Sequence, residues 1–137
     1  MKKLIFIAIF IPTIVWGESL PSKYYKCTIK DSATVEDSGE LYAGQTGDAA
    51  LIGTEFVVDK KTGRMIGDFR NDLAGAKPEV IDSGSKKMYK VLTNYKSIGI
   101  QEVEVLQIGK EYSSEVTTFL FYKTFLRRIY SGTCTSN

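Results

Sequence analysis

The sequence predicts an all-β fold: a small antiparallel barrel or sandwich of about seven strands, with the first and last strands linked by a disulfide. Three observations carry this expectation. No long apolar stripe recurs at the helical period. Short β-branched and aromatic runs instead alternate with clusters of Gly, Asp, Asn, Ser and Lys. The two cysteines flank this strand-rich part, Cys27 near its start and Cys134 near its end.

Residues 23–35 open with Tyr24-Tyr25-Lys26-Cys27-Thr28-Ile29, whose alternation places Tyr25, Cys27 and Ile29 on one face of a first strand. Residues 36–50 are rich in Gly, Asp and Ser, with a turn at Asp37-Ser38-Gly39 and a loop over Gly44-Gln45-Thr46-Gly47-Asp48. Residues 51–59 and 64–69 read as the two arms of a hairpin. Their connection, Asp59-Lys60-Lys61-Thr62-Gly63, suits a type I turn closed by glycine in the left-handed region. Residues 70–86, with Pro78 and Ser83-Gly84-Ser85, read mostly as loop. Strand returns over 87–95, 98–108, 115–124 and 125–134, with breaks at Lys96-Ser97 and over 109–114. Within 98–108 the apolar phase moves from Ile98 and Ile100 to Val103 and Val105, then to Leu106 and Ile108, which predicts a bulge or bend. Closure into a barrel makes the first and last strands neighbours. A sandwich satisfies the same pattern and remains the alternative.

Residues 1–17 are expected to form a secretory signal peptide and residues 18–137 a single β domain. Lys2 and Lys3 precede an apolar run over residues 4–15 broken by Pro12 and Thr13, and Val15 and Gly17 suit a cut after Gly17. The run is shorter than the about 20 residues a spanning helix needs, so no stable membrane anchor is expected after cleavage. Cys27 is far from the cut, which argues against lipid attachment. A periplasmic or secreted location is oxidising, and there Cys27 and Cys134 are expected to pair. Without Lys2 and Lys3, sixteen basic side chains face sixteen acidic ones. Such a balance lacks the basic field of a nucleic-acid binder. The pairs Lys60-Lys61, Lys86-Lys87 and Arg127-Arg128 read as solvated surface.

Histidine is absent from the whole chain, which removes the usual proton shuttle and the commonest zinc and copper ligand. With both cysteines paired, thiolate chemistry is excluded too. No catalytic, cofactor-binding or metal-binding residue is assigned, and no cofactor is expected. Carboxylates remain to be weighed. Glu102 and Glu104 share a strand face and are expected opposite lysines on an exposed sheet, since a glycosidase draws its acid pair from opposite sides of a cleft. Asp31, Glu36, Asp37 and Glu40 form a second acidic group, but neither the Asp37 nor the Asp59 stretch has the spacing of a calcium loop. The aromatics include Tyr24, Tyr25, Tyr42, Tyr89, Tyr95, Tyr112, Tyr122 and Tyr130 beside Phe56, Phe69, Phe119, Phe121 and Phe125. Most are expected in the core or in cross-strand pairs, with some tyrosines free to line a ligand cavity or a protein-binding face. Phe119-Leu120-Phe121-Tyr122 puts apolar groups on both faces, as a buried central strand or a covered edge does.

The stretches Phe56-Val57-Val58-Asp59-Lys60-Lys61-Thr62-Gly63-Arg64-Met65-Ile66-Gly67, Pro78-Glu79-Val80-Ile81-Asp82-Ser83-Gly84 and Gly132-Thr133-Cys134 resemble segments of small exported proteins of Gram-negative bacteria that have no assigned function. The resemblance implies an envelope location and carries no activity. Ser83-Gly84-Ser85 followed by Tyr89 is similar to a loop of small periplasmic lysozyme inhibitors, which are exported disulfide-bearing barrels. That resemblance implies inhibition of a host or competitor hydrolase such as lysozyme. The leading expectation is a non-enzymatic domain that binds an unidentified envelope or extracellular protein, a glycan or an apolar ligand. A carboxylate-based cell-wall glycan hydrolase is the rival from another class. Carriage of an apolar ligand requires an internal cavity, whereas protein recognition requires a filled core and an exposed aromatic or loop surface.

Overall fold

The computed structural model describes residues 23–43, 49–73, 75–84, 88–97, 100–110 and 116–136. The expected signal peptide, the loop at 44–48, Lys86-Lys87 and residues 111–114 of the break expected over 109–114 lie outside these residues, whereas Gly109 and Lys110 are strand. Nine strands follow in chain order among the described residues: β1 Tyr24–Val35, β2 Leu41–Ala43, β3 Glu55–Asp59, β4 Met65–Gly67, β5 Lys77–Ser83, β6 Met88–Ser97, β7 Ile100–Lys110, β8 Thr117–Lys123 and β9 Arg128–Ser136. A single 3₁₀ turn at Ala49–Leu51 is the helical content among the described residues.

All neighbours are antiparallel, in the order β4-β3-β1-β9-β8-β7-β6-β5, with β2 added to β1. The first and last strands are thus adjacent, and Cys27 stands opposite Cys134 in the β1–β9 register with a disulfide between them. The sheet is continuous and curls around one core, so the architecture is a half-barrel and not a two-layer sandwich. Alternate residues of β1, β3 and β6 to β9 face inward, among them Ile29, Val58, Val91, Leu106, Phe121 and Tyr130. Gly132 is required at one crowded point of this wall. A side-chain carbon there would come within 2.0 Å of the Thr28 carbonyl and 2.7 Å of the Phe119 ring.

The segment after β4 completes the core. Phe69 is buried and its ring lies 4.6 Å from Tyr130, 5.1 Å from Phe121 and 5.3 Å from Phe56. Two residues on, Asn71 is fully buried and joins the two ends of the curl. Its Oδ1 accepts from the Met65 amide at 2.7 Å, and its Nδ2 donates to the Gly63 carbonyl and the Thr93 hydroxyl. Tyr89 of β6 adds a bond from its hydroxyl to the Asp59 carbonyl of β3. Side chains, and no β ladder among the described residues, therefore hold β3 and β4 against β6.

The β3–β4 connection has the expected form. Gly63 adopts φ 72° and its amide donates to the Asp59 carbonyl at 2.8 Å. The Asp59 carboxylate accepts from the amides of Lys61 and Thr62, which holds its carboxyl below the usual range.

Five expectations need correction. Residues 77–83 form strand β5 where a loop was expected, because Pro78 sits on an edge strand that can spare its amide. Residues 124–127, expected within two adjoining strands, form the β8–β9 turn, so the last strand starts at Arg128, and the short strand β2 stands between the turn and the loop expected within 36–50. Residues 51–54 are turn, so the first hairpin arm starts only at Glu55. Finally, β7 runs in unbroken register with β6 and β8, and the bulges fall instead in β1 at Ile29/Asp31 and in β5 at Val80/Asp82. The phase shift in β7 has another cause. Leu106 and Ile108 face inward together with Glu104, so Val103 and Val105 belong to the outer face.

Candidate functional site

Glu102 and Glu104 do share a face, but it is the inner one and not the exposed sheet surface expected. Glu104 is 2% exposed. Lys123, its cross-strand partner on β8, places Nζ 3.0 Å from Oε1, and the Tyr95 hydroxyl of β6 donates to Oε2 at 2.8 Å. Glu102 stands opposite Tyr95, and its Oε1 is buried with no hydrogen-bond partner among the described residues. Burial pushes the Glu104 carboxyl above its ordinary range, against the opposing pull of Lys123 and Tyr95. Burial and the neighbouring Glu104 raise the Tyr95 hydroxyl as well. At the edge of this cluster Asp72 accepts from Arg70 and Arg64, which hold its carboxyl down at about 2.

Lys123 and Tyr95 make this arrangement an ion-pair cluster. A glycosidase needs its acids on opposite sides of the scissile bond. Glu102 and Glu104 stand on one side of one strand, and Glu104 is already engaged by Lys123 and Tyr95.

The raised carboxyl makes stability depend on pH. The folded protein binds the Glu104 proton more tightly than the unfolded chain does. Its contribution is therefore complete below the ordinary value of 4.5 and is lost as pH rises through the raised folded value. Asp59 and Asp72 act oppositely: their contribution is present above 3.8 and is lost as pH falls, for Asp72 through about 2. Urea unfolding from about pH 5 to about pH 8 should show the wild type losing stability and E104Q losing less. Parallel curves for the two proteins would refute this assignment.

The opposite end of the curl carries aromatic and basic groups. The rings of Tyr25 and Tyr89 lie 5.3 Å apart, and the Lys60 ammonium sits 4.3 Å from the Tyr25 centroid while donating to the Ser136 hydroxyl. Lys60 is half-buried here, so the reading of it as solvated surface is corrected, and burial lowers its ammonium. A cavity of about 250 Å³ opens beside these residues and is lined also by Gly84 and Ile108. Gly84 and Tyr89, noted together in the sequence, thus meet at one cavity.

A larger groove of about 480 Å³ lies on the outer face over the ends of β7, β8 and β9. Gly109 forms part of its floor, Gln107, Leu120 and Ser131 one row, and Thr118 and Thr133 the next. Lys30 and Lys110 also line it, Lys110 from the end of β7, where it lines the smaller cavity as well. Leu120 explains the double apolar face of β8: the strand is central, but only Phe119 and Phe121 are buried, and Leu120 is 45% exposed in this groove.

No family model, curated protein or solved structure matches this chain. The geometry alone speaks to function. The second acidic group does not converge: Asp31 caps the Ser32 amide on β1, whereas Asp37 in the β1–β2 turn pairs with Arg127. Among the described residues no three acidic or thiol side chains come together as a metal site. Cys27 and Cys134 are bonded to each other and buried. Lys123 and the outer groove were not singled out in the sequence, and Tyr95 only as one of the eight tyrosines. Their grouping depends on strand register, which a one-dimensional reading does not supply.

Proposed function

We propose that this is an exported, non-enzymatic β domain that binds a protein or glycan partner in the bacterial envelope through its surface. The filled interior is the observation that supports this reading most. Phe69, Phe121 and Tyr130 occupy the centre at ring contact, where a carrier of apolar ligands would need enclosed space. Large apolar groups are exposed elsewhere. Phe125 and Leu126 in the β8–β9 turn and Leu41 and Tyr42 of β2 are exposed at the same end of β1, on its two flanks, since Val35 pairs with Leu41 on one side and its amide donates to the Arg127 carbonyl on the other. Aromatic and apolar groups grouped this way suit a recognition surface.

The test is capture from envelope extract on the oxidised protein lacking residues 1–17, with mass spectrometry of bound proteins, glycans and lipids and re-binding of each purified candidate. A protein or glycan that re-binds saturably is expected. Lipid retained at one molecule per chain would replace this reading with carriage, and new reducing ends released from cell-wall glycan would replace it with catalysis. A second reading, inhibition of a hydrolase such as lysozyme, is supported by Gly84 and Tyr89 lining one cavity with Tyr25. Lysis assays with the protein in molar excess test it, and undiminished lysozyme activity would remove it.

A further inference from the structure

Resting on the surface-binding reading, we infer that the outer groove over β7, β8 and β9 is a binding site for an acidic glycan. Strand register builds the groove. Met88, Gly109, Thr118 and Thr133 stand side by side across four strands, and Gln107, Leu120 and Ser131 form the adjoining row. Gly109 has no side chain on the outer face between Met88 and Thr118, so the surface is hollow there. Three strand spacings of about 4.8 Å give a trough about 14 Å long, enough for a short oligosaccharide.

The chemistry of the lining selects the ligand class. The charged side chains along it, Lys30 and Lys110, are both cationic and exposed, and neither takes part in an ion pair among the described residues. Among the described residues no carboxylate lines the groove. Asp31, opposite Ser131 on β1, turns its oxygen to the Ser32 amide. An anionic ligand therefore meets attraction from both lysines and no like-charge repulsion from the lining.

Between the lysines, Ser131, Thr133 and Gln107 offer groups that both donate and accept hydrogen bonds, and Thr118, whose hydroxyl donates to the Gly109 carbonyl, offers an acceptor, while Leu120 gives an apolar surface for the carbon face of a sugar ring. An extended acidic peptide is served less well. The strands beneath the groove are internal to the sheet, so their main-chain amides and carbonyls are consumed by the ladders and none is left for strand addition.

Calorimetric titration of the oxidised protein with tetragalacturonate, chitotetraose and tetraglutamate tests the inference. Tetragalacturonate is expected to bind saturably, more weakly as salt rises, and at least tenfold more tightly than either of the others. K30A/K110A should weaken it about tenfold or more, the loss of two charge-assisted contacts, and T118V/S131A severalfold. The unfolding midpoints of both variants should stay at the wild-type value. Absent binding, binding indifferent to K30A/K110A, or equal binding of tetraglutamate would overturn the assignment, the last in favour of an acidic-peptide site. Failure here with partner capture intact removes the glycan assignment and leaves the surface-binding reading standing. Failure of both removes both.

Discussion

Replacing both cysteines, as C27A/C134A, should destabilise the domain by about 4–5 kcal/mol, because the bridge closes a very long loop. The two positions are 107 residues apart in sequence and directly opposite in the β1–β9 ladder. In the chain-entropy model most of the stabilisation comes from the unfolded ensemble, which the bridge deprives of its most extended forms. The native contacts around the two buried sulfurs add the smaller part. A loss of this size should lower the thermal midpoint by about 15–20 °C in a domain of this length. Urea titration of the variant, and of the wild type with and without reductant, measures it. A loss below about 1 kcal/mol would mean that the β1–β9 pairing restrains the unfolded chain without the bridge. The result also bears on location, since a domain that depends on this bridge must fold where thiols are oxidised.

Much of the architecture was legible because it rests on short-range alternation. Tyr25, Cys27 and Ile29 on β1 and the glycine-closed turn at Gly63 follow from local pattern and backbone sterics, and the structure has them as expected. Edge strands were harder. The segment around Pro78 has turn-forming composition, and its strand state is imposed by pairing with β6. The displaced bulge had a similar origin. An acid at an inward position looks like a break in apolar phase unless its partners are known, and for Glu104 those partners come from strands on either side.

The candidate sites were less legible for the same reason. Glu102 and Glu104 could be placed on one face by counting, yet which face is inner depends on the whole strand's burial. Lys60 reads as a turn lysine in sequence, whereas folding carries it over Tyr25, far away along the chain. The outer groove is assembled from residues on five strands, none conspicuous alone. Composition could still exclude chemistry that needs histidine, because an absent residue is absent in every fold.

Phe69→Ala should cost about 3–5 kcal/mol, the range for removing a buried aromatic from a core that relaxes only in part. The residue is 3% exposed and touches three aromatic rings, yet it belongs to no strand. Asn71, two residues later, bonds to β6 and to the β3–β4 hairpin, so the backbone around position 69 is held at both ends of the curl. Collapse into the vacated space is therefore resisted, which favours the upper part of the range and leaves a lasting void. Such a void would be lined by Phe56, Phe121 and Tyr130, with the Lys123 ammonium 5.8 Å from the centre of the lost ring, and would be able to admit a small apolar molecule. Benzene or xenon should then stabilise F69A against urea and leave the wild type unchanged, with F69L intermediate. If the wild type also responded, its interior would already hold accessible space, and recognition at the surface would lose its strongest support.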